Sequence, residues 1–327
     1  MKKSIGYLII LLSFFGLSCK KDFLEVIDKT KLLKQGYVVD LKTTVHYMNG
    51  VYVLLANSNQ AYADGFNLSY PELMADNIKP RFVLTENYMW NQRADDPSIN
   101  NGPGLWNSYY KNIRACNFVI EKTEEYKDED IAKAANIKGQ ALAIRAWMHF
   151  LLVNMFAQSY NYTADASHLG IPYVRTSDIE EPINRRSVAE VYHSIIGDLN
   201  DALQLLPVSE ISKRHVFNYV TAKALLARVY LFKEEFTKAK NLSREVLNAV
   251  PMMNMNYPDK LYTSQETEAL FWAPPSKSVT DNYTTTFMGF YTSGFVAILA
   301  TKNIAQLYRQ YPSDRRNAWI RDSITPS

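Results

Sequence analysis

Two segments of this chain combine aromatic rings with amide, guanidinium and carboxylate groups, a mixture suited to holding a sugar or a peptide. Aromatic rings bury the apolar C–H face of a sugar at little entropic cost, while polar side chains hydrogen-bond its hydroxyl groups. The segments are residues 81–101 and 281–291. The candidate ligand contacts within them are Arg81, Tyr88, Trp90, Asn91, Arg93, Tyr283 and Tyr291. The alternative is that Trp90 and Tyr291 are core residues beneath long loops.

The residues that could perform catalysis or hold a metal lack the necessary spacing. None of the five histidines follows the HExxH pattern of a zinc site, and the sequence has no GxSxG, Walker-type or GxGxxG motif. Adjacent acids such as Glu124 and Glu125 point apart on a helix, whereas glycoside hydrolysis needs two carboxylates facing each other across a cleft. Asp95 and Asp96 offer oxygen ligands, but without the spacing of an EF-hand calcium site. We expect no enzyme, no cofactor and no metal.

The N-terminus has the pattern of a lipoprotein signal peptide. Lys2 and Lys3 precede a short apolar run, residues 7–17, that ends just before Cys19. The run is shorter than the roughly 20 residues that cross a bilayer. A cysteine in this position is typically acylated and becomes the first residue of the mature protein. We therefore expect a signal peptide over residues 1–18 and membrane attachment through a lipid on Cys19. The alternative is an ordinary signal peptide with an incidental cysteine.

Charge and cysteine content restrict the partners further. The formal net charge of +3 is small for 327 residues, so the chain lacks the electrostatic footprint of a nucleic-acid-binding protein. Cys116 is the only cysteine besides Cys19, and it stands among apolar helix positions. We expect Cys116 to be a small buried hydrophobic residue rather than a nucleophile.

The hydrophobic pattern predicts a mainly helical fold. Apolar residues recur three or four positions apart in several long stretches. The helices predicted in this way span residues 41–57, 106–126 and 130–156. Ser187 and Glu190 form a capping box that opens a further helix, which has apolar positions as far as Leu206. Residues 60–104 are rich in Asn, Asp, Pro and Gly, which predicts a long irregular loop.

Residues 220–253 follow the pattern of one tetratricopeptide-like unit, in which two helices form a hairpin of about 34 residues. The small residues Ala227 and Ala239 would let the two helices approach closely, with Tyr230 and Phe236 filling the remaining gap. An ordinary helical hairpin is the alternative. Because such repeats need stacked neighbours to bury a core, the other helices would have to supply degenerate units.

Six segments in order along the chain resemble the SusD/RagB family of outer-membrane nutrient-binding lipoproteins. They include a cysteine followed by Asp-Phe-Leu-Glu, a Trp…Tyr…Asn helix, a Gly-Gln-Ala-x-x-x-Arg-Ala helix and a Gly-Ile-Pro-Tyr-Val loop. The segments are residues 19–25, 106–117, 138–146, 170–174, 186–192 and 198–207. Gln140 stands where the family usually has Glu, and we expect this to change a helix-surface charge and little else. The chain is also short for the family, so we expect either a short member of the family or a chain that lacks a C-terminal part.

The resemblance implies both a fold and a function. The fold is a tetratricopeptide-like helical scaffold with long irregular loops, here over residues 19–327. The function is that of a lipid-anchored outer-membrane protein, facing the extracellular side, that binds an oligosaccharide and delivers it to a SusC-type TonB-dependent transporter. Two alternatives stay open. One is a peptide-binding receptor like the RagB branch, and the other is a protein-interaction adaptor with a groove near Lys223, Arg228 and Tyr230.

Overall fold

The structure is a computed structural model that describes residues 34–57, 72, 74–80, 105–210, 212–253, 260, 267–272 and 298–319. The chain divides into two compact units, residues 1–39 and 40–327. In the first unit the described residues include one short helix, α1 (Lys34–Tyr37). The remaining helices and strands of the described residues belong to the second unit.

The second unit is mainly helical, as the hydrophobic pattern predicted. Its helices are α2 (Leu41–Asn57), α3 (Leu105–Glu125), α4 (Ile131–Phe156), α5 (Val188–Leu205), α6 (Tyr219–Phe232), α7 (Phe236–Ala249) and α8 (Lys302–Arg309). Its two strands are β1 (Ile78–Pro80) and β2 (Ile298–Ala300). Short 3-10 turns occur at Lys127–Glu129, Tyr160–Tyr162, Val208–Glu210 and Arg315–Trp319. The bounds of α2, α3 and α4 agree with the predicted helices to within one residue.

Helix α4 is the centre of the helical core. Asp130 caps its N-terminus, accepting a hydrogen bond from the backbone N–H of Lys133. All residues from 139 to 146 are buried, so the helix contacts neighbours around its whole circumference rather than along one apolar stripe. It packs against α3 and α5, and also touches α2 and α6. Gly139 permits one of these approaches, because a Cβ atom there would lie 3.0 Å from Cγ of Leu206.

Helix α5 begins at the predicted capping box. The Ser187 hydroxyl accepts a hydrogen bond from the Glu190 backbone N–H (3.2 Å), and the Glu190 carboxylate accepts one from the Ser187 backbone N–H (2.9 Å). The hydrogen bonds from Ser187 lower the pKa of Glu190. The apolar positions that the sequence assigned to the inner face are buried. They are Val191, Ile195, Leu199, Ala202 and Leu206.

Helices α6 and α7 form the predicted hairpin, and Ala227 and Ala239 are buried where the helices meet. The prediction for Phe236 was wrong, because its side chain is 61% exposed. Phe236 is the first residue of α7 and directly follows a tight turn in which Glu234 adopts a left-handed conformation (φ 60°). It therefore lies at the tip of the hairpin, while Tyr230 is half-buried.

Strands β1 and β2 pair in antiparallel fashion although they lie far apart in the sequence. Ile78 pairs with Ala300 and Pro80 with Ile298. Thr301 extends the pairing, since its backbone N–H donates to the carbonyl of Asn77 (3.0 Å). The ribbon thereby joins the connection between α2 and α3 to the segment that precedes α8.

Candidate functional site

The candidate ligand residues of both aromatic segments lie outside the described residues. This applies to Arg81, Tyr88, Trp90, Asn91, Arg93, Tyr283 and Tyr291, to the lipidation candidate Cys19, and to Asp95 and Asp96. The ribbon nevertheless pairs the chain positions next to the two segments. Pro80 directly precedes the first segment, and its partner Ile298 comes seven residues after Tyr291. The pairing of β1 and β2 therefore joins the residue that precedes the first segment to a residue seven positions after the second.

Residues 267–272 come before the second aromatic segment in the sequence. They are hydrogen-bonded to the helical scaffold. The hydroxyl of Thr221 in α6 donates to the carbonyl of Leu270 (2.8 Å). The backbone N–H of Trp272 donates to the carbonyl of Arg214 (3.0 Å). These two hydrogen bonds fix both sides of Phe271 and so determine which way the neighbouring side chains face.

Phe271 is held by a cluster of aromatic rings from three helical regions. Its ring centroid lies 4.7 Å from that of Phe217, 6.1 Å from that of Tyr52 and 6.3 Å from that of Trp147. Trp147 and Phe217 also contact each other, with centroids 5.5 Å apart. Such tilted and edge-on ring pairs stabilise packing beyond the area they bury. The cluster anchors residues 267–272 to α2, α4 and the start of α6.

The prediction that Gln140 lies on the helix surface is wrong, because its side chain belongs to a buried chain of hydrogen bonds. The Tyr52 hydroxyl accepts from the Phe217 backbone N–H and donates to Oε1 of Gln140, each at 2.8 Å. Nε2 of Gln140 donates to Oδ1 of Asn136 (2.9 Å). Gln140 is only 5% exposed and is not a surface residue, because α4 is enclosed by its neighbours. Its amide both accepts and donates, a pairing that a carboxylate could not reproduce. Burial also raises the pKa of Tyr52, which keeps the phenol neutral.

The residues that carry the family resemblance meet at a buried ion pair. Nε and Nη2 of Arg145 in α4 bind the two carboxylate oxygens of Asp198 in α5 at 2.6 and 2.7 Å. Nη1 of Arg145 donates to Oδ1 of Asn117 in α3 (2.8 Å), and the hydroxyl of Tyr173 donates to Asp198 (2.6 Å). The side chains of Arg145 and Asp198 are 7% and 4% exposed. This bidentate geometry ties three helices together.

The same network fixes the segment that contains the Gly-Ile-Pro-Tyr-Val sequence. Nδ2 of Asn117 donates to the carbonyls of Val174 (3.1 Å) and Thr176 (2.8 Å). The backbone N–H of Val174 donates to Nε2 of His149 (3.1 Å), so Nδ1 carries the proton and donates to the carbonyl of Arg145 (2.9 Å). Burial lowers the pKa of His149 to about 3. A neutral imidazole with both nitrogens engaged in this way is a structural element rather than a catalytic base.

Cys116 is confirmed as a buried residue of the core. Its side chain is inaccessible to solvent, and burial raises the pKa of its thiol to about 12. A thiol that remains protonated at neutral pH is a poor nucleophile. Among the described residues, no group of three or more His, Cys, Asp or Glu side chains is placed to hold a metal ion. None of the helices in the described part of the chain is long and apolar enough to cross a membrane.

Two of the three residues that would line an adaptor groove contact side chains of the neighbouring helix α7. Nζ of Lys223 pairs with the carboxylate of Glu245 (2.6 Å) and lies over the ring of Tyr219 (4.5 Å). The half-buried ring of Tyr230 is covered by the Lys238 ammonium group at 4.9 Å. Arg228 is exposed. Lys223 and Tyr230 thus serve the packing of the hairpin itself.

Trp272 is an exposed aromatic residue that precedes the second segment in the sequence and that the sequence patterns did not single out. Trp272 is 52% exposed, although its backbone and its neighbour Phe271 are fixed to the scaffold. Its sequence environment, Phe-Trp followed by Ala-Pro-Pro, could have drawn attention to it, because an aromatic pair next to prolines is typical of an extended segment.

Comparison with known proteins identifies relatives of this chain. A SusD-like family model described as "Starch-binding associating with outer membrane" matches residues 22–231. The chain is similar to SusD-like protein P2 of Formosa agariphila, with 31% identity over 148 residues, which are 44% of this chain and 26% of that protein. The chain therefore aligns with about a quarter of that relative's length.

Solved structures of Bacteroides proteins share the fold. A SusD superfamily protein of Bacteroides thetaiotaomicron matches with a TM-score of 0.71 and 23% identity, over 85% of this chain and 63% of its own. A protein of Bacteroides vulgatus described as a putative sugar binding protein matches with a TM-score of 0.70 and 24% identity, over 86% of this chain and 64% of its own. The chain thus spans just under two thirds of these structures.

Proposed function

This chain belongs to the SusD-like family, and we propose that it binds an oligosaccharide at the outer membrane. The observation that carries the proposal is the match of the family model to residues 22–231, a range that contains the whole buried network around Arg145 and Asp198. The family is described as starch-binding and as associating with the outer membrane. It is a family of binding proteins, in agreement with the expectation that the chain is not an enzyme.

The proposed binding groups are the aromatic and polar residues of segments 81–101 and 281–291. Ligand-binding loops work best on a rigid scaffold, because a preorganised site loses less conformational entropy when it binds. The ribbon pairs the positions next to the two segments, and residues 267–272 are fastened to α6 on the other side of the second. Both features support a joint role for the two segments in one site.

The proposed anchor is a lipid on Cys19, and the proposed partner is a SusC-type TonB-dependent transporter. A lipid tether would hold the protein in the plane of the transporter and so raise its effective concentration there. We infer from the resemblance that the protein faces the cell exterior. Replacing Cys19 by Ser should release the protein from isolated outer membranes, and a tagged wild-type protein should retain a TonB-dependent transporter through detergent extraction. Retention of the Cys19→Ser protein in washed membranes would contradict the anchor.

Binding of a glycan is tested by affinity electrophoresis of the full chain in gels that contain soluble starch, laminarin, xylan or pectin. We expect at least one of these polysaccharides to slow the wild-type protein. The double variant Trp90→Ala/Tyr291→Ala should lose most of that retardation. The matched control is Tyr162→Ala, which removes an exposed aromatic side chain elsewhere on the described surface. Its mobility should remain that of the wild type.

Two outcomes would favour the alternatives. Binding of peptides, with no retardation by any polysaccharide, would support a receptor like those of the RagB branch. Binding of a protein partner that survives Trp90→Ala/Tyr291→Ala but is lost in Arg228→Ala would support an adaptor, because Arg228 is the groove residue that the structure exposes.

A further inference from the structure

We propose that Trp272 is a separate glycan contact, an aromatic platform on the helical scaffold that stacks against the C–H face of a pyranose ring. The proposal rests on the proposed glycan-binding function. It differs from that function in its location, because Trp272 lies outside both aromatic segments and within the described part of the chain.

The first observation is that hydrogen bonds fix the main chain at Trp272 to the helical scaffold. The hydrogen bond from Thr221 to the carbonyl of Leu270 and the one from the Trp272 backbone N–H to Arg214 hold the main chain on both sides of Phe271. The ring of Phe271 is inserted among Phe217, Tyr52 and Trp147. Phe271 is therefore directed into the protein, and the next side chain remains 52% exposed. Because the main chain is already fixed, only the side-chain torsions of Trp272 would have to be ordered on binding.

The second observation is that three of the four other exposed aromatic rings of the described residues, Tyr311 being the fourth, are placed differently. Phe232 packs edge-on against Phe150, with ring centroids 5.2 Å apart, and Tyr162 packs against His168 at 5.3 Å. Phe236 lies at the tip of the α6–α7 hairpin, beside Lys233 and Glu235. Trp272, in contrast, comes nine positions before the second aromatic segment in the sequence.

The third observation is the chemistry around the indole. The backbone N–H of Trp272 donates to the backbone carbonyl of Arg214 (3.0 Å), so the main chain at Trp272 runs beside a short segment that contains Lys213, Arg214 and His215. Lys213 is half-exposed while paired with Glu210 (2.6 Å), and His215 is exposed. An indole offers a flat apolar face and an N–H donor, and Lys, Arg and His side chains in the adjoining segment are of the type that donates to hydroxyl oxygens. A sugar ring requires this combination of an apolar face and donors at the rim.

The test compares three single variants of the full chain on the polysaccharide that retains the wild type most strongly among starch, laminarin, xylan and pectin. Trp272→Ala should weaken the affinity roughly tenfold, as expected for the loss of one stacking ring. Trp272→Phe, which keeps an aromatic face, should weaken it less than about threefold. Phe236→Ala is the control for loss of an exposed ring and should bind like the wild type. Circular dichroism melting curves of all variants should coincide, because none of the changed side chains is buried.

The outcomes separate the two proposals. If the wild type binds a polysaccharide and Trp272→Ala binds it equally well, the platform is refuted while the glycan-binding function stands. If the wild type binds no polysaccharide, the proposed function fails and the platform fails with it. An equal loss of affinity in Trp272→Ala and Phe236→Ala would also refute the platform, because the effect would then not depend on the position of the ring.

Discussion

Replacing Arg145 by Met should destabilise the fold strongly, because it removes the cation of a buried ion pair. The change deletes two hydrogen bonds to Asp198 and one to Asn117. It leaves the Asp198 carboxylate, 4% exposed, with the Tyr173 hydroxyl as its one remaining partner among the hydrogen bonds described above. Breaking a buried pair in this way costs about 3–5 kcal/mol of unfolding free energy. That is a large fraction of the roughly 5–15 kcal/mol by which folded proteins are stable.

Urea denaturation followed by circular dichroism measures this loss directly. The control is Lys122→Met, since Lys122 pairs with Glu125 (2.6 Å), whose side chain is 50% exposed, and pairs open to solvent contribute about 0–1 kcal/mol. The double variant Arg145→Met/Asp198→Leu should be more stable than Arg145→Met, because it removes the uncompensated charge along with its partner. A loss in Arg145→Met no larger than that in Lys122→Met would refute the reasoning. So would a double variant that is less stable than the single one.

Two further predictions concern His149 and the glycines. Because burial lowers the pKa of His149 from 6.5 to about 3, the unfolded chain binds a proton that the folded chain excludes, and stability should fall as the pH drops below about 6.5. Between pH 7 and pH 5, protonation of His149 in the unfolded chain should lower the free energy of unfolding by about 2 kcal/mol. Urea titrations at the two pH values measure this loss, and it should be about 2 kcal/mol smaller in His149→Gln than in the wild type. An unchanged loss would contradict the assignment. Gly170→Ala should cost about 1–3 kcal/mol, because a Cβ atom would lie 3.0 Å from the carbonyl oxygen of Arg186. Gly197→Ala, in the middle of α5 with open space at that position, should instead stabilise by up to about 1 kcal/mol, and thermal melting that ranks the two variants in the opposite order would refute this.

The helices could be predicted from the sequence because their signals are local. A 3.6-residue period located α2, α3 and α4, and the Ser187–Glu190 capping box located the start of α5. The contacts between helices could not be predicted in the same way. Arg145 and Asp198 are 53 positions apart, and Tyr52 meets Gln140 across 88 positions. Gln140 was assigned to the surface because a polar side chain in a helix normally indicates exposure, while its partner comes from a distant helix.

The ribbon and the position of Phe236 in the hairpin also could not be predicted from local sequence patterns. Pro80 and Ile298 pair although each strand has only three residues, too short to give a recognisable alternation in the sequence. Phe236 matched the position of a core aromatic in the repeat pattern, yet the turn at Glu234 leaves it exposed. A pattern over 34 residues predicts that a hairpin exists, and the geometry of its turn decides which ring is buried.

The family resemblance and the proposed glycan site involve different residues of this chain. Asn117, Arg145 and Asp198, which help to make the chain recognisable, are buried and hydrogen-bonded to one another or to the segment around Val174. A residue enclosed in this way can stabilise the scaffold but cannot touch a sugar. Changes at these positions should therefore lower stability, and should lower glycan affinity only in proportion to the unfolded fraction. Changes at Trp90 or Trp272 should lower affinity at constant stability. Measuring unfolding free energy and polysaccharide affinity on the same variants separates the two groups, and an Arg145 variant that stays folded but loses its ligand would show that the buried network also shapes the site.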